Sequence, residues 1–145
     1  MGYTNIAAVA GKGGLFNIVK PTRAGVILET IDDQKKKLVV GGNARVSVLS
    51  DISIYTVDAE GSVPVADVFK KIKDEFDDDP GVNSTSDDDE LHAFLKHLVP
   101  DYDEERVYAS DIKKLVSWYN ILYKHEKDLL SKGSEDGEDE GNENK

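Results

Sequence analysis

The chain has 145 residues, a formal net charge of −11, 39% apolar residues and no cysteine, which is enough material for one ordinary domain or two small ones. The missing cysteines exclude disulfides, thiol catalysis and Cys-ligated zinc, and no apolar run approaches the roughly 20 residues of a membrane span. Residues 1–14 lack the basic start and apolar stretch of a signal peptide, and Ile6 stands where a myristoylation signal carries Ser or Thr, so the expectation is a soluble cytoplasmic protein.

Residues 6–10 read as a short strand, ended by a turn at Gly11, Gly13 and Gly14. Strands follow at 15–19, closed by Pro21, and at 25–30, which is rich in β-branched residues. Asp32, Asp33 and Gln34 supply turn chemistry before a strand at 38–40. Residues 46–48 and 52–55 alternate with period two about a turn at Ser50 and Asp51. Five or six short strands in so little chain predict a barrel, which removes exposed edges, of the small SH3-like or Sm-like kind.

Near Pro64 the period changes to about 3.6. Val65, Val68, Phe69, Ile72 and Phe76 form the apolar stripe of a first helix, which ends at residues 77–81. Ser86 is the expected cap of a second helix with Asp87, Asp88, Asp89 and Glu90 in its first turn, where the helix dipole favours negative charge. Leu91, Phe94, Leu95 and Leu98 make its stripe, and Pro100 follows. Ser110 is the expected cap of a third helix reaching about Leu130, with Ile112, Leu115, Val116, Tyr119, Leu122 and Tyr123 on its face. Residues 131–145 hold six acidic residues, two lysines and nothing apolar, which predicts a disordered tail. That tail carries −4 and leaves −7 on the rest, which opposes non-specific nucleic-acid binding. The reading is α+β: a small β-barrel domain at 1–62, a three-helix domain at 63–130 and a disordered acidic tail at 131–145.

The segments GKGGLFNIV (11–19), VSVLSDISIYT (46–56), VPVADVFKKI (63–72), DELHAFLKHLVPDYDEERVY (89–108) and SDIKKLVSWYNIL (110–122) together resemble a family of uncharacterised bacterial proteins, mostly from Bacteroidetes, built from two domains of unknown function. The resemblance covers roughly residues 6–123 and departs at Gly13, where the family often has proline. It implies the two-part architecture and a cytoplasmic location, and it transfers no catalytic residue.

Residues 11–14 (GKGG) lack the Ser or Thr and the following helix that a phosphate-binding loop requires, so they read as a turn between strands. His92 and His97 are five apart, on opposite faces of a helix, and His92 reads as a surface residue. Residues 79–90 could place Asp79, Asn83, Asp87 and Glu90 as in a calcium loop, but Gly81 and Ser84 stand at positions 3 and 6, so a solvated acidic linker accounts for them better. Lys35, Lys36 and Lys37, with Arg45, are a candidate nucleic-acid face whose stacking partners would be Phe16 and Tyr55. Those two aromatics fall where core residues are expected, and lysines also commonly blunt a strand edge.

In the segment before the third helix, Tyr102 and Tyr108 either pin the connection to the core, with Arg106 paired to a carboxylate, or form a partner surface. Trp118 lies beside its helix's main stripe, facing the β domain or partly exposed as a contact site. The functional expectation is therefore a non-enzymatic protein-binding or adaptor protein using Tyr102, Arg106, Tyr108 and Trp118, with no cofactor and an unidentified protein partner. The alternative is a nucleic-acid-binding regulator acting through the barrel.

Overall fold

The computed structural model describes residues 3–83 and 85–131. After a 3-10 turn at Tyr3–Asn5, five strands follow: β1 (Ile6–Val9), β2 (Lys12–Pro21), β3 (Gly25–Thr30), β4 (Lys37–Gly41) and β5 (Val46–Val48). Gly11 and Gly14 take φ of 85° and 86°, a backbone that glycine adopts at little cost, and this lets β1 turn tightly into β2. The strands form one antiparallel sheet in the order β4-β3-β2-β1-β5. Gly25 is tied to its place differently: a Cβ there would lie 1.8 Å from the Val40 carbonyl oxygen across the β3–β4 ladder.

β4 and β5 occupy opposite edges of this sheet, yet only residues 42–45 join them. Four flat inter-strand steps would separate the edges by about 19 Å, which the connection could span only near full extension, at most about 18 Å. The sheet therefore curls, and its inner face closes around Val9, Phe16, Leu28 and Val40, all buried. It does not close into the expected barrel, because β4 and β5 share no ladder. The physical reason lies just after β5. The chain turns through Leu49–Asp51 and drives fully buried Leu49 into a different core. β6 (Ser53–Tyr55) then leaves the sheet and pairs with β7 (Ser62–Pro64) as a separate two-stranded ribbon. The junction expected at 62/63 falls inside β7.

Four helices follow: α1 (Val65–Phe76), α2 (Asp88–Leu98), α3 (Ala109–His125) and the single turn α4 (Lys127–Leu130). The expected third helix breaks at Glu126, whose φ of −138° and ψ of 47° are not helical. Two expected caps also move. Asp87, not Ser86, caps α2, and its N–H donates to the Glu90 carboxylate at 3.2 Å. Tyr108, not Ser110, caps α3, and its N–H donates to Asp111 at 3.0 Å. In both cases the acid three residues on receives the free backbone donor, which satisfies a helix terminus as well as a hydroxyl would.

The apolar stripes meet where sequence periodicity places them. Phe69, Ile72, Leu95, Leu115, Tyr119 and Leu122 are fully or almost fully buried, together with Ile6, Leu15 and Leu49 from the sheet module. One core thus runs through both halves of the chain. The Tyr3 hydroxyl donates to the Leu129 carbonyl at 3.2 Å and so fastens α4 to the first turn of the structure. No helix among the described residues is long and apolar enough to cross a membrane. The expected disordered tail lies, beyond Ser131, outside the described residues.

Candidate functional site

Burial of the α3 stripe decides what α3 shows elsewhere. Trp118 precedes fully buried Tyr119 by one residue and is thus turned about 100° around the helix. With Lys113, Lys114 and Ser117 it forms a flank facing the β1–β2 hairpin. Between them lies a cavity of about 430 Å³, reaching from Lys12 and the hairpin glycines across Ile52 to Trp118. A second cavity of about 210 Å³ shares Ile52, Lys114 and Trp118 with the first and continues to Tyr55 and Arg106. The two make one groove between the sheet module and α3.

The cations that line it are only partly paired, as are those elsewhere on the surface. Lys37, Lys70, Lys73, Lys96 and Arg106 each have a carboxylate within 4.0 Å. Among the described residues, Lys12, Lys113 and Lys114 have none. Charge is also split by module. Residues 1–50 hold seven Lys and Arg against three acidic residues, a net +4, whereas residues 51–130 hold nine against twenty, a net −11. The groove lies on the seam between a cationic and an anionic half, and its walls contribute three ammonium groups with no carboxylate partner among the described residues, a half-buried indole and the Ile52 side chain.

The expected partner residues divide. Trp118 and Arg106 line the groove. Arg106 lies 3.6 Å from Asp103 and stacks over the Tyr55 ring at 4.8 Å, which holds that guanidinium at the groove's end. Tyr102 is buried at 4% exposure, its ring stacked on His92 and its hydroxyl 2.8 Å from His92 Nδ1. Burial raises its phenol pKa above the usual value. It pins the connection to the core and presents no partner surface. Tyr108 is 64% exposed and pins nothing, because its backbone caps α3 while its ring faces solvent. His92 is half-buried against Tyr102 rather than at the surface, since the Tyr102 ring covers it.

Lys35, Lys36, Lys37 and Arg45 do not line the groove. Lys35 makes the β3–β4 turn with φ of 47°, Lys37 pairs with Glu29 at 3.2 Å, and the Arg45 carbonyl accepts from Ala10 N–H at 2.9 Å. Of their proposed stacking partners, Phe16 is buried inside the curl, as expected of a core residue, but Tyr55 is 48% exposed because β6 has left the sheet. His97 approaches Glu75 at 2.6 Å, well away from His92. In the expected calcium segment, Asp79 accepts from Gly81 N–H and Asn83 from Thr85, so both close local turns. No cluster of three or more His, Asp or Glu side chains among the described residues is placed to hold a metal ion.

Residues 4–49 match the family described as Domain of unknown function (DUF5606), and residues 52–122 match Domain of unknown function (DUF6852). A solution NMR structure from Bacteroides vulgatus, a structural genomics target, is 35% identical over 83% of this chain and 85% of its own, with a TM-score of 0.66. The chain belongs to this two-domain family. Within the family's frame the two matched regions meet at Leu49–Asp51, the turn at which the chain leaves the sheet. The groove is built from both regions: the hairpin and Ser47 from the first, α3 from the second. A comparison with curated proteins returns no match.

Proposed function

We propose that the protein is a non-enzymatic cytoplasmic binding or adaptor protein whose groove takes a segment of a partner protein. That segment carries acidic residues around one aromatic or large aliphatic side chain. A single observation carries this reading: Trp118 stands beside Lys12, Lys113 and Lys114, three cations with no carboxylate partner among the described residues. An apolar anchor beside an aromatic wall, with charges at the rim to set orientation and on-rate, is how a peptide site is built. The test uses synthetic peptides with Asp and Glu flanking a central Phe, read through the emission of Trp118, the one tryptophan of the chain. Saturable binding, weakened by Lys113→Glu with Lys114→Glu and by Trp118→Ala, supports the reading. Peptides that bind no better than their Lys-flanked counterparts overturn it.

The net +4 on residues 1–50 favours a second reading, a nucleic-acid-binding regulator acting through the curled sheet with Lys35, Lys36, Lys37 and Arg45. The finer description of that sheet as a small SH3-like or Sm-like barrel, left open between β4 and β5, belongs to the same proposal. Anisotropy of labelled single-stranded and duplex oligonucleotides near 150 mM salt tests it. Tight binding that falls steeply with salt and with charge reversal at Lys35–Lys37 would place this reading first.

A further inference from the structure

We infer that the partner lies in the groove as an extended strand, added antiparallel to the free edge of β6, with its aromatic anchor ahead of its acidic residues. The inference rests on the groove being a binding site and specifies the form and direction of the occupant.

Main-chain hydrogen bonding carries it. On the β7 side of β6, the Thr56 N–H donates to the Gly61 carbonyl at 3.0 Å and the Val65 N–H to the Ile52 carbonyl at 2.9 Å. Bonding direction alternates along an antiparallel strand, so Ser53, Tyr55 and Val57 aim their main-chain groups at the opposite side. There residues 101–103 run antiparallel to the same chain. The Asp103 N–H donates to the Tyr55 carbonyl at 2.8 Å, and the Val57 N–H to the Asp101 carbonyl at 2.9 Å. This cover ends before Ser53, because the Asp103 carbonyl accepts from the Arg106 and Val107 N–H groups and the chain turns away. Among the described residues the Ser53 N–H and carbonyl have no partner on that side, and Ser53 lines the smaller cavity with Val107 and Trp118. A free donor and acceptor on a strand edge beside a cavity are what an added strand uses.

The direction follows from the same edge. Residues 101–103 already hold it antiparallel, and a partner strand continues their line. Side chains alternate across a strand, and here Ile54, Thr56 and Tyr102 all point inward and are buried. The partner residue opposite Ser53 therefore supplies the main-chain bonds, and the next, opposite Ile52, turns inward. Ile52 is extended, with φ of −95° and ψ of 134°, and borders both cavities together with Trp118. That inward residue is the anchor. Beyond it the partner heads for Lys114, Lys113 and Lys12, where charge complementarity places its acids.

Two peptides of one composition test this, one with Phe followed by Asp and Glu and one with the order reversed, each titrated against the full chain by Trp118 emission. The first should bind several-fold tighter. Within it, N-methylation of the residue before Phe removes the N–H that meets the Ser53 carbonyl. That change should weaken binding about 2- to 10-fold, the worth of one hydrogen bond, whereas N-methylation of the Phe itself should be tolerated. Ser53→Pro deletes a donor that no ladder uses, so melting should hold while the first peptide binds more weakly. In two-dimensional NMR the Ser53 amide proton should move downfield as that peptide saturates. Equal binding in both orders, or equal effects of the two N-methyl groups, overturns strand addition and leaves the groove standing. Peptides that bind in neither order remove the groove reading and this inference with it.

Discussion

Tyr102 and Trp118 are both aromatic residues of the connection-and-helix region, yet their environments give them opposite duties. Tyr102→Phe removes a hydroxyl that meets His92 at 2.8 Å, and denaturant titration should show a loss of about 0.5–1.5 kcal/mol, the net worth of one hydrogen bond. Leu115→Ala deletes a fully buried side chain and should cost about 2–5 kcal/mol. Trp118→Ala should cost clearly less than Leu115→Ala in the same titration, because one side of the indole faces the groove, while binding of the acidic probe falls. If Trp118→Ala proves as costly as Leu115→Ala, the indole is core and the groove loses its anchor. At alkaline pH, Tyr3 and Tyr119 respond along with Tyr102. Burial raises the pKa of Tyr3 and of Tyr119 well above the usual value, with nearby Asp67 and Asp77 adding to it. The folded state therefore keeps these phenols protonated where the unfolded chain would ionise. Their contribution is complete below about pH 10, the ordinary tyrosine value, and is lost as pH rises above it. Thermal melting from pH 8 to 11 should show a decline beginning near pH 10, and Tyr3→Phe should flatten it.

At the scale of single elements, the helix caps offer a direct contrast. Asp111→Ala leaves the Tyr108 N–H at the start of α3 without its acceptor and should destabilise by about 0.5–2 kcal/mol. Ser110→Ala should change melting little, since Ser110 lies inside the first turn and not at the cap. A larger effect for Ser110 would restore it as the capping residue. Much of the element pattern was legible from sequence. Val65 to Phe76 and Ile112 to Leu122 repeat at helical spacing because each must bury one stripe, and the hairpin glycines mark a turn that few other residues permit. The caps were displaced by one or two residues because carboxylates in the first turn also satisfy donors at a helix start, and here Glu90 and Asp111 take the N–H groups of Asp87 and Tyr108. The groove was only half legible. Trp118 stood out by its place beside the stripe, whereas Lys12 lies about a hundred residues from Lys113 and Lys114 in the chain, and no local pattern reports so distant a convergence.

For the whole molecule, the largest difference from expectation is the open sheet, and its cause is likewise non-local. Alternation in Val46–Val48 and Ser53–Tyr55 shows two strands but not their partners. Pairing of Ser53 with Pro64 and Tyr55 with Ser62 joins β6 to the helices instead of to β4. The shared core predicts that the two family regions do not melt separately. Ile6, Leu15 and Leu49 pack among helical residues, so calorimetry should show one transition whose van't Hoff and calorimetric enthalpies agree. Residues 1–50 expressed alone should lack a cooperative transition. Two resolved transitions, or a stably folded 1–50 fragment, would show the halves to be independent. The Tyr3–Leu129 bond has one more consequence, for the time at which the protein becomes itself during translation. Its two residues are 126 positions apart, and synthesis at about 5–20 residues per second separates their appearance by roughly 6–25 s. For that interval the emerging N-terminal strands hold Ile6, Leu15 and Leu49 ready for helices that do not yet exist. The nascent chain is then an apolar surface awaiting its own last helices, and ribosome-associated chaperones are the natural occupants of that vacancy.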